Sequence, residues 1–205
     1  MRLAIVAAGL LAAGAAQAEA IGTVQGMLGF NAETDYDEGK VKANGQSATF
    51  DGDDDDLESN FGLSASYEFA MSSRLVLGPR LSFMTGEGDD SENTVRTIDI
   101  GGIGRFFFND GSWRGFAALG VGATYGMLSN DDTDLDVSGI GYHLLLGAGV
   151  QGDLASTVGF IGGLYYEYVA IGSVEGDGKS AGVTVDVELE DATVTRPMLM
   201  AGITF

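Results

Sequence analysis

The sequence predicts an all-β protein: eight antiparallel strands closed up-and-down into a transmembrane β-barrel. Three observations carry that prediction. Apolar residues recur with a period of two in eight segments of roughly 12 to 16 residues, the mark of strands whose two faces meet unlike surroundings. The connections between segments alternate long and short without exception, as a barrel with two different ends requires. Finally, after the first twenty residues no apolar run of 18 or more appears, so a membrane would not be crossed by helices.

Residues 1–20, MRLAIVAAGLLAAGAAQAEA, open with one arginine, run apolar from Leu3 to about Ala16 and reach the small-x-small pattern Ala16-Gln17-Ala18. This reads as a signal peptide, residues 1–18, cleaved on export. Residues 19–205 are then the barrel domain. The chain contains no cysteine, which excludes disulfides, thiolate chemistry and anchoring through a lipidated cysteine.

The eight strands follow in order. The first, about 22–33, sets Val24, Leu28 and Phe30 against Thr23, Gln25 and Met27. The second, about 58–70, sets Phe61, Leu63, Ala65, Tyr67 and Phe69 against Asn60, Ser64, Ser66 and Glu68. Leu75, Leu77, Leu81 and Phe83 oppose Arg74, Arg80 and Ser82 in the third, about 74–86, and Ile98, Ile100, Phe106 and Phe108 oppose Thr97, Asp99 and Arg105 in the fourth, about 94–108.

The fifth, 112–128, carries Trp113, Ala117, Leu119, Val121 and Tyr125 on its apolar face and Arg114, Gly120, Gly122 and Thr124 on the other. In the sixth, 138–153, Ile140, Tyr142, Leu144 and Leu146 oppose His143, Gly147 and Gln151. The seventh, about 157–171, has Val158, Phe160, Leu164, Tyr166 and Tyr168 against Gly163, Tyr165 and Glu167. The last segment places Leu199, Ala201, Ile203 and Phe205 opposite Arg196, Met198, Met200 and Thr204. Pro79 and Pro197 fall within the third and eighth strands, where a closed sheet needs a bulge or a lost ladder bond.

Long connections are expected at about 34–57, 87–93, 129–137 and 172–190, and tight ones at 71–73, 109–112 and 154–156. The long set, with Asp191, holds 22 of the 30 acidic residues against three lysines. Most of the formal net charge of −20 therefore crowds one rim. Aromatic residues gather toward both ends of the strands, as at two lipid interfaces.

These features together resemble the small eight-stranded bacterial outer-membrane β-barrels of the OmpA transmembrane domain and OmpX group. In that family the last strand ends on an aromatic residue with apolar residues at alternate positions before it. Phe205, Ile203, Ala201 and Leu199 match that assembly signal. The resemblance implies location in the outer membrane of a Gram-negative bacterium, outer-membrane lipid and the outer-membrane assembly machinery as partners, a monomeric state, and no nucleic-acid partner. At the acidic loops the candidate partners are divalent cations or basic extracellular molecules.

An eight-stranded barrel encloses a space that side chains fill. The inner faces are expected to carry Glu68, Arg80, Asp99, Arg105, Arg114, His143, Glu167 and Arg196 among Met27, Ile103, Phe116, Leu145, Ile161 and Met200. Buried charges are costly unless paired. Folding strands three and four about Asp89-Asp90 pairs Arg80 with Asp99, and folding seven and eight about 181–182 pairs Glu167 with Arg196.

Some barrels of this kind are lipid A deacylases with a His-x-Ser pattern on an outward-facing strand. Here the only histidine begins His143-Leu144-Leu145 on an inward face, so no catalytic residue and no cofactor are expected. The acidic runs at Asp51, Asp53, Asp54, Asp55 and Asp56, and at Asp132, Asp134 and Asp136, offer oxygen ligands for Ca²⁺. They lack the EF-hand pattern: Asp56 and Gly62 stand where its glycine and glutamate belong. The expected function is a structural or surface-interaction scaffold with a largely plugged lumen; the alternative is a small channel for ions or slender solutes.

Overall fold

The structure is a computed structural model that describes residues 20–43, 46–51, 54–88, 93–130, 134–180 and 183–205. Residues 1–18, expected as a signal peptide, lie outside that range. Among the described residues eleven strands are formed: β1 (Ala20–Gly29), β2 (Ala32–Asp35), β3 (Glu38–Ala43), β4 (Gln46–Asp51), β5 (Asp54–Ala70), β6 (Leu75–Gly88), β7 (Asn93–Phe107), β8 (Trp113–Asn130), β9 (Leu135–Asp153), β10 (Gly159–Ser180) and β11 (Val183–Thr204).

Eight of them close a ring. Consecutive neighbours from β5 to β11 pair antiparallel, and β1 pairs with both β5 and β11. Stepping across registered partners from Ala20 through Phe69, Leu77, Gly104, Leu119, Leu146, Tyr166 and Pro197 arrives at Phe30, whose N–H donates to the Pro197 carbonyl. One circuit thus advances the chain from position 20 to position 30. For eight strands this stagger sets a tilt of about 40° and an interior just wide enough for side chains.

The alternation read from the sequence is the inside–outside alternation of this wall. Outward residues such as Leu63 (64 % exposed), Ile140 (75 %), Ile100, Leu164 and Leu199 form an apolar belt that involves all eight strands of the ring. A contiguous apolar surface of that extent suits lipid and not water. Among the inward residues Met27, Ile103, Phe116, Leu145, Ile161 and Met200 are buried in one apolar cluster.

The short connections are tight. At 108–112 Gly111 has φ 122°, a conformation open to glycine alone at little cost. Asn109 braces this turn, its amide donating to the Trp113 carbonyl at 2.7 Å and its carbonyl oxygen accepting from Gly115 N–H at 2.8 Å.

The long connections differ from expectation. Residues 172–180 and 183–190 continue β10 and β11 as a paired ribbon from Ser173↔Glu190 to Ser180↔Val183. Within 34–57, β3 and β4 form a hairpin, and β3 pairs with the upper part of β11 from Asp186↔Lys42 to Glu190↔Glu38. The cause is a second period of two hidden among the acids: Val185, Val187 and Leu189 point inward and are buried with Val95, Val137 and Val174. The barrel therefore carries a second apolar cluster above the first.

Both prolines have a place. The β5–β6 ladder runs from Ser66↔Arg80 directly to Phe69↔Leu77 without a change of register, so the rungs opposite Gly78 and Pro79 are missing. Pro197 lies where β1 hands over to β2. The pairing with β11 shifts there by one residue, from Gly29↔Met198 to Glu33↔Thr195, and Asn31 in the bulge has φ 44°. A bulge opposite Pro197 is where an N–H can be dispensed with.

Candidate functional site

The inward polar residues form two groups, separated by apolar side chains. Toward the short-turn end, Arg105 on β7 forms an ion pair with Glu68 on β5 through Nη1 and Oε1. Its Nη2 donates to Gln25 Oε1 at 3.1 Å, and its guanidinium lies 5.6 Å from the Phe116 ring centroid. Arg114 stacks on Phe107 at 4.1 Å and is only half-buried, so its charge reaches the solvent at that mouth.

Farther up, Glu167 on β10 accepts from Arg196 Nε at 2.8 Å and is 2.8 Å from Arg196 Nη2 through the same oxygen, Oε2. Its other oxygen is 3.6 Å from Arg80 Nη1, an ion-pair contact beyond hydrogen-bond reach. One carboxylate thus serves two guanidinium groups. Arg196 also donates from Nη2 to Thr97 Oγ1 at 2.7 Å, and Arg80 from Nε to Ser64 Oγ at 3.2 Å.

Asp99 on β7 stands beside this group. It accepts from Ser82 Oγ at 2.9 Å and Thr124 Oγ1 at 2.6 Å, and its Oδ1 is 3.7 Å from His143 Nδ1. The same Thr124 hydroxyl is 3.2 Å from His143 Nδ1. The structure therefore brings Glu167 to Arg196 but not Arg80 to Asp99. The β6–β7 register opposes Asp99 to Ser82 and Arg80 to Gly101, two residues away from the register obtained by centring the loop on 89–90.

Arg80, Arg105 and Arg196 are all buried, and so are Glu68, Asp99 and Glu167. Among the described residues three buried cations balance three buried anions inside the wall. Charges removed from water persist only when paired and hydrogen-bonded, and here each has a partner of opposite sign or a set of hydroxyl donors. The hydroxyl partners Ser64, Ser82, Thr97 and Thr124 were legible as inward residues, but their pairings were not.

Glycine makes the room. Gly122 on β8 lies beside the His143 ring, and a Cβ there would fall 2.3 Å from the Ile100 carbonyl, 2.6 Å from Gly101 Cα and 2.7 Å from His143 Cε1. No larger residue fits that position without displacing backbone.

At the long-loop rim, Lys40 is paired with Glu190 and lies 3.7 Å from Glu38, while Lys42 is 3.5 Å from Glu188. Hydrogen bonding to Glu190 raises the Lys40 pKa above its ordinary value. Among the metal candidates, Asp53 and Asp132 lie outside the described residues, as do the side chains of Asp54, Asp55 and Asp56. Among the described residues no cluster of three or more histidines or acids is placed to hold a metal ion.

Phe205 is 62 % exposed on the outer surface. Its N–H donates to the Gly22 carbonyl at 2.9 Å and its carbonyl accepts from Gly22 N–H at 2.8 Å. Leu199 and Ile203 share its outward face, as does Ala201.

Comparison with known proteins adds the fold and no family. No family model matches the chain, and no curated protein matches it. Among solved structures, a major outer membrane protein from Thermus thermophilus is similar at 10 % identity and a TM-score of 0.53, over 90 % of this chain and 99 % of that one. The outer membrane protein OprG from Pseudomonas aeruginosa is similar at 11 % identity and a TM-score of 0.52, over 92 % and 96 %. The outer membrane enzyme PagL aligns at 16 % identity with a TM-score of 0.47, over 87 % and 97 %. The chain has the fold of the outer-membrane β-barrels. A fold does not assign a chemistry.

Proposed function

We propose that the mature chain is an integral outer-membrane protein whose barrel is a largely plugged scaffold and whose acidic loops serve structural or surface interactions. The observation supporting this reading is the filled lumen, in which three buried arginines and three buried carboxylates are interspersed with large apolar side chains. The reading is non-catalytic: the single histidine is buried beside Asp99 and Thr124 instead of facing outward. Purified protein in a planar bilayer tests it. Silence supports the plug, while steady single-channel steps would replace it with the channel reading.

Membrane assembly has its own test. Replacing Phe205 by aspartate should lower the assembled yield several-fold, read as the fraction that migrates differently before and after boiling on a denaturing gel. An unchanged fraction would remove Phe205 from the assembly signal.

The rim is proposed to attract divalent cations or basic partners through its field. Calorimetric titration with Ca²⁺ should give weak binding, on the order of 10⁻⁴ to 10⁻³ M, reduced in a variant with Asp53 to Asp56 changed to asparagine. Micromolar binding that resists high salt would instead indicate a dedicated metal site.

A further inference from the structure

Above the upper charge group, inside the second apolar cluster, lies a cavity of about 460 Å³. Its walls include Val95, Leu128, Leu135, Ile171, Val187 and Leu189, from five of the strand ends that rise past the charged layer. Tyr36 and Phe50 stand edge-to-face at its border, with centroids 6.2 Å apart. Thr97 is at the floor, held by Arg196.

We propose that this cavity is a binding site for a small uncharged apolar molecule, of the size of a one- or two-ring aromatic. Its volume lies within the range of about 300 to 1,000 Å³ usual for small-molecule sites. Thr34, Asp35, Asn93 and Thr193 also line it, so the lining is mixed but mainly apolar, and apolar lining takes up benzene-like guests. Gly126 lines it, and a Cβ there would lie 2.2 Å from Cδ1 of Ile171, so the missing side chain lets Ile171 pack against that wall.

Charge restricts the guest. The surrounding rim carries most of the 30 acidic residues, so an anion of the same shape meets repulsion at the entrance and an apolar wall inside. Below Thr97 the paired Arg196 and Glu167 close the way. The guest is therefore held at the mouth and not passed through the barrel, a role distinct from scaffold and from channel.

The test is titration of the folded protein in lipid nanodiscs, with labelled Ile, Leu and Val methyl groups, using toluene and, separately, benzoate. Toluene should shift the methyls of Val95, Leu128, Leu135, Ile171, Val187 and Leu189 along a saturating curve. The lipid-facing methyls of Leu63 and Ile100 should drift linearly as toluene enters the bilayer. Benzoate should leave the mouth methyls unmoved.

Val187→Trp, which fills the space, should weaken the saturating response at least tenfold while keeping the folded gel mobility. Leu128→Phe serves the same purpose if the first variant does not fold. Mouth methyls that only track the lipid-facing ones would overturn the proposal. So would equal shifts with benzoate, or an undiminished response in a folded cavity-filled variant.

Discussion

Replacing Glu167 by alanine is expected to destabilise the folded barrel by about 3–5 kcal/mol, the cost of leaving buried charge without its partner. The effect is large because the carboxylate sits between Arg196 at 2.8 Å and Arg80 at 3.6 Å. Arg196→Ala alone should also be costly, since it strips Glu167 of its hydrogen-bonded partner. Combining the two should cost less than the sum by more than ~1 kcal/mol, within the range of coupling between contacting residues. The double variant should still fall short of wild type because Arg80 remains. Denaturant titrations in lipid vesicles read these differences. Additivity within about 0.5 kcal/mol would mean that the three side chains do not act as a unit.

Gly122→Val is expected to be more severe. Overpacking a filled interior costs roughly 1–3 kcal/mol when side chains can give way. Here the added atoms meet the Ile100 carbonyl and Gly101 Cα first, and backbone in a closed ladder cannot yield locally. The folded band on an unboiled gel should be lost or nearly so, whereas Gly172→Ala, with open space around its Cβ, should assemble normally. Normal assembly of Gly122→Val would show that β7 and β8 can separate near His143.

What the sequence disclosed, and what it concealed, follows from the physics of strands. Period two is a property of each strand by itself, so the inward set from Glu68 to Arg196 could be read without knowing any neighbour. Register is a property of two strands and the loop between them. Centring one loop on Asp89-Asp90 put Arg80 opposite Asp99, but the pairs Ser82↔Asp99 and Arg80↔Gly101 show an offset of two residues. A slip of two preserves the face of every side chain and is therefore invisible to alternation.

The same reasoning explains the ribbons at the rim. Val185, Val187 and Leu189 alternate as cleanly as any membrane strand, but their outward partners are Asp186, Glu188 and Glu190 in place of lipid-facing apolar groups. A search for an apolar outer face passes over them. The inner cavity was likewise not legible, because it depends on how five strand ends converge.

The reciprocal bonds between Gly22 and Phe205 have a consequence in time. They sit at the seam where β1 meets β11, two strands with residues 30–182 between them. Six of the other seven junctions of the ring join consecutive strands, which can zip locally as hairpins, and β1 reaches β5 across the intervening β2, β3 and β4. The seam cannot form until the last strand is available, and contacts of such long sequence separation are slow. Until then both β1 and β11 expose unpaired edges, the surfaces on which incomplete sheets aggregate. The interval before closure, more than the stability of the finished ring, is when this chain is most vulnerable.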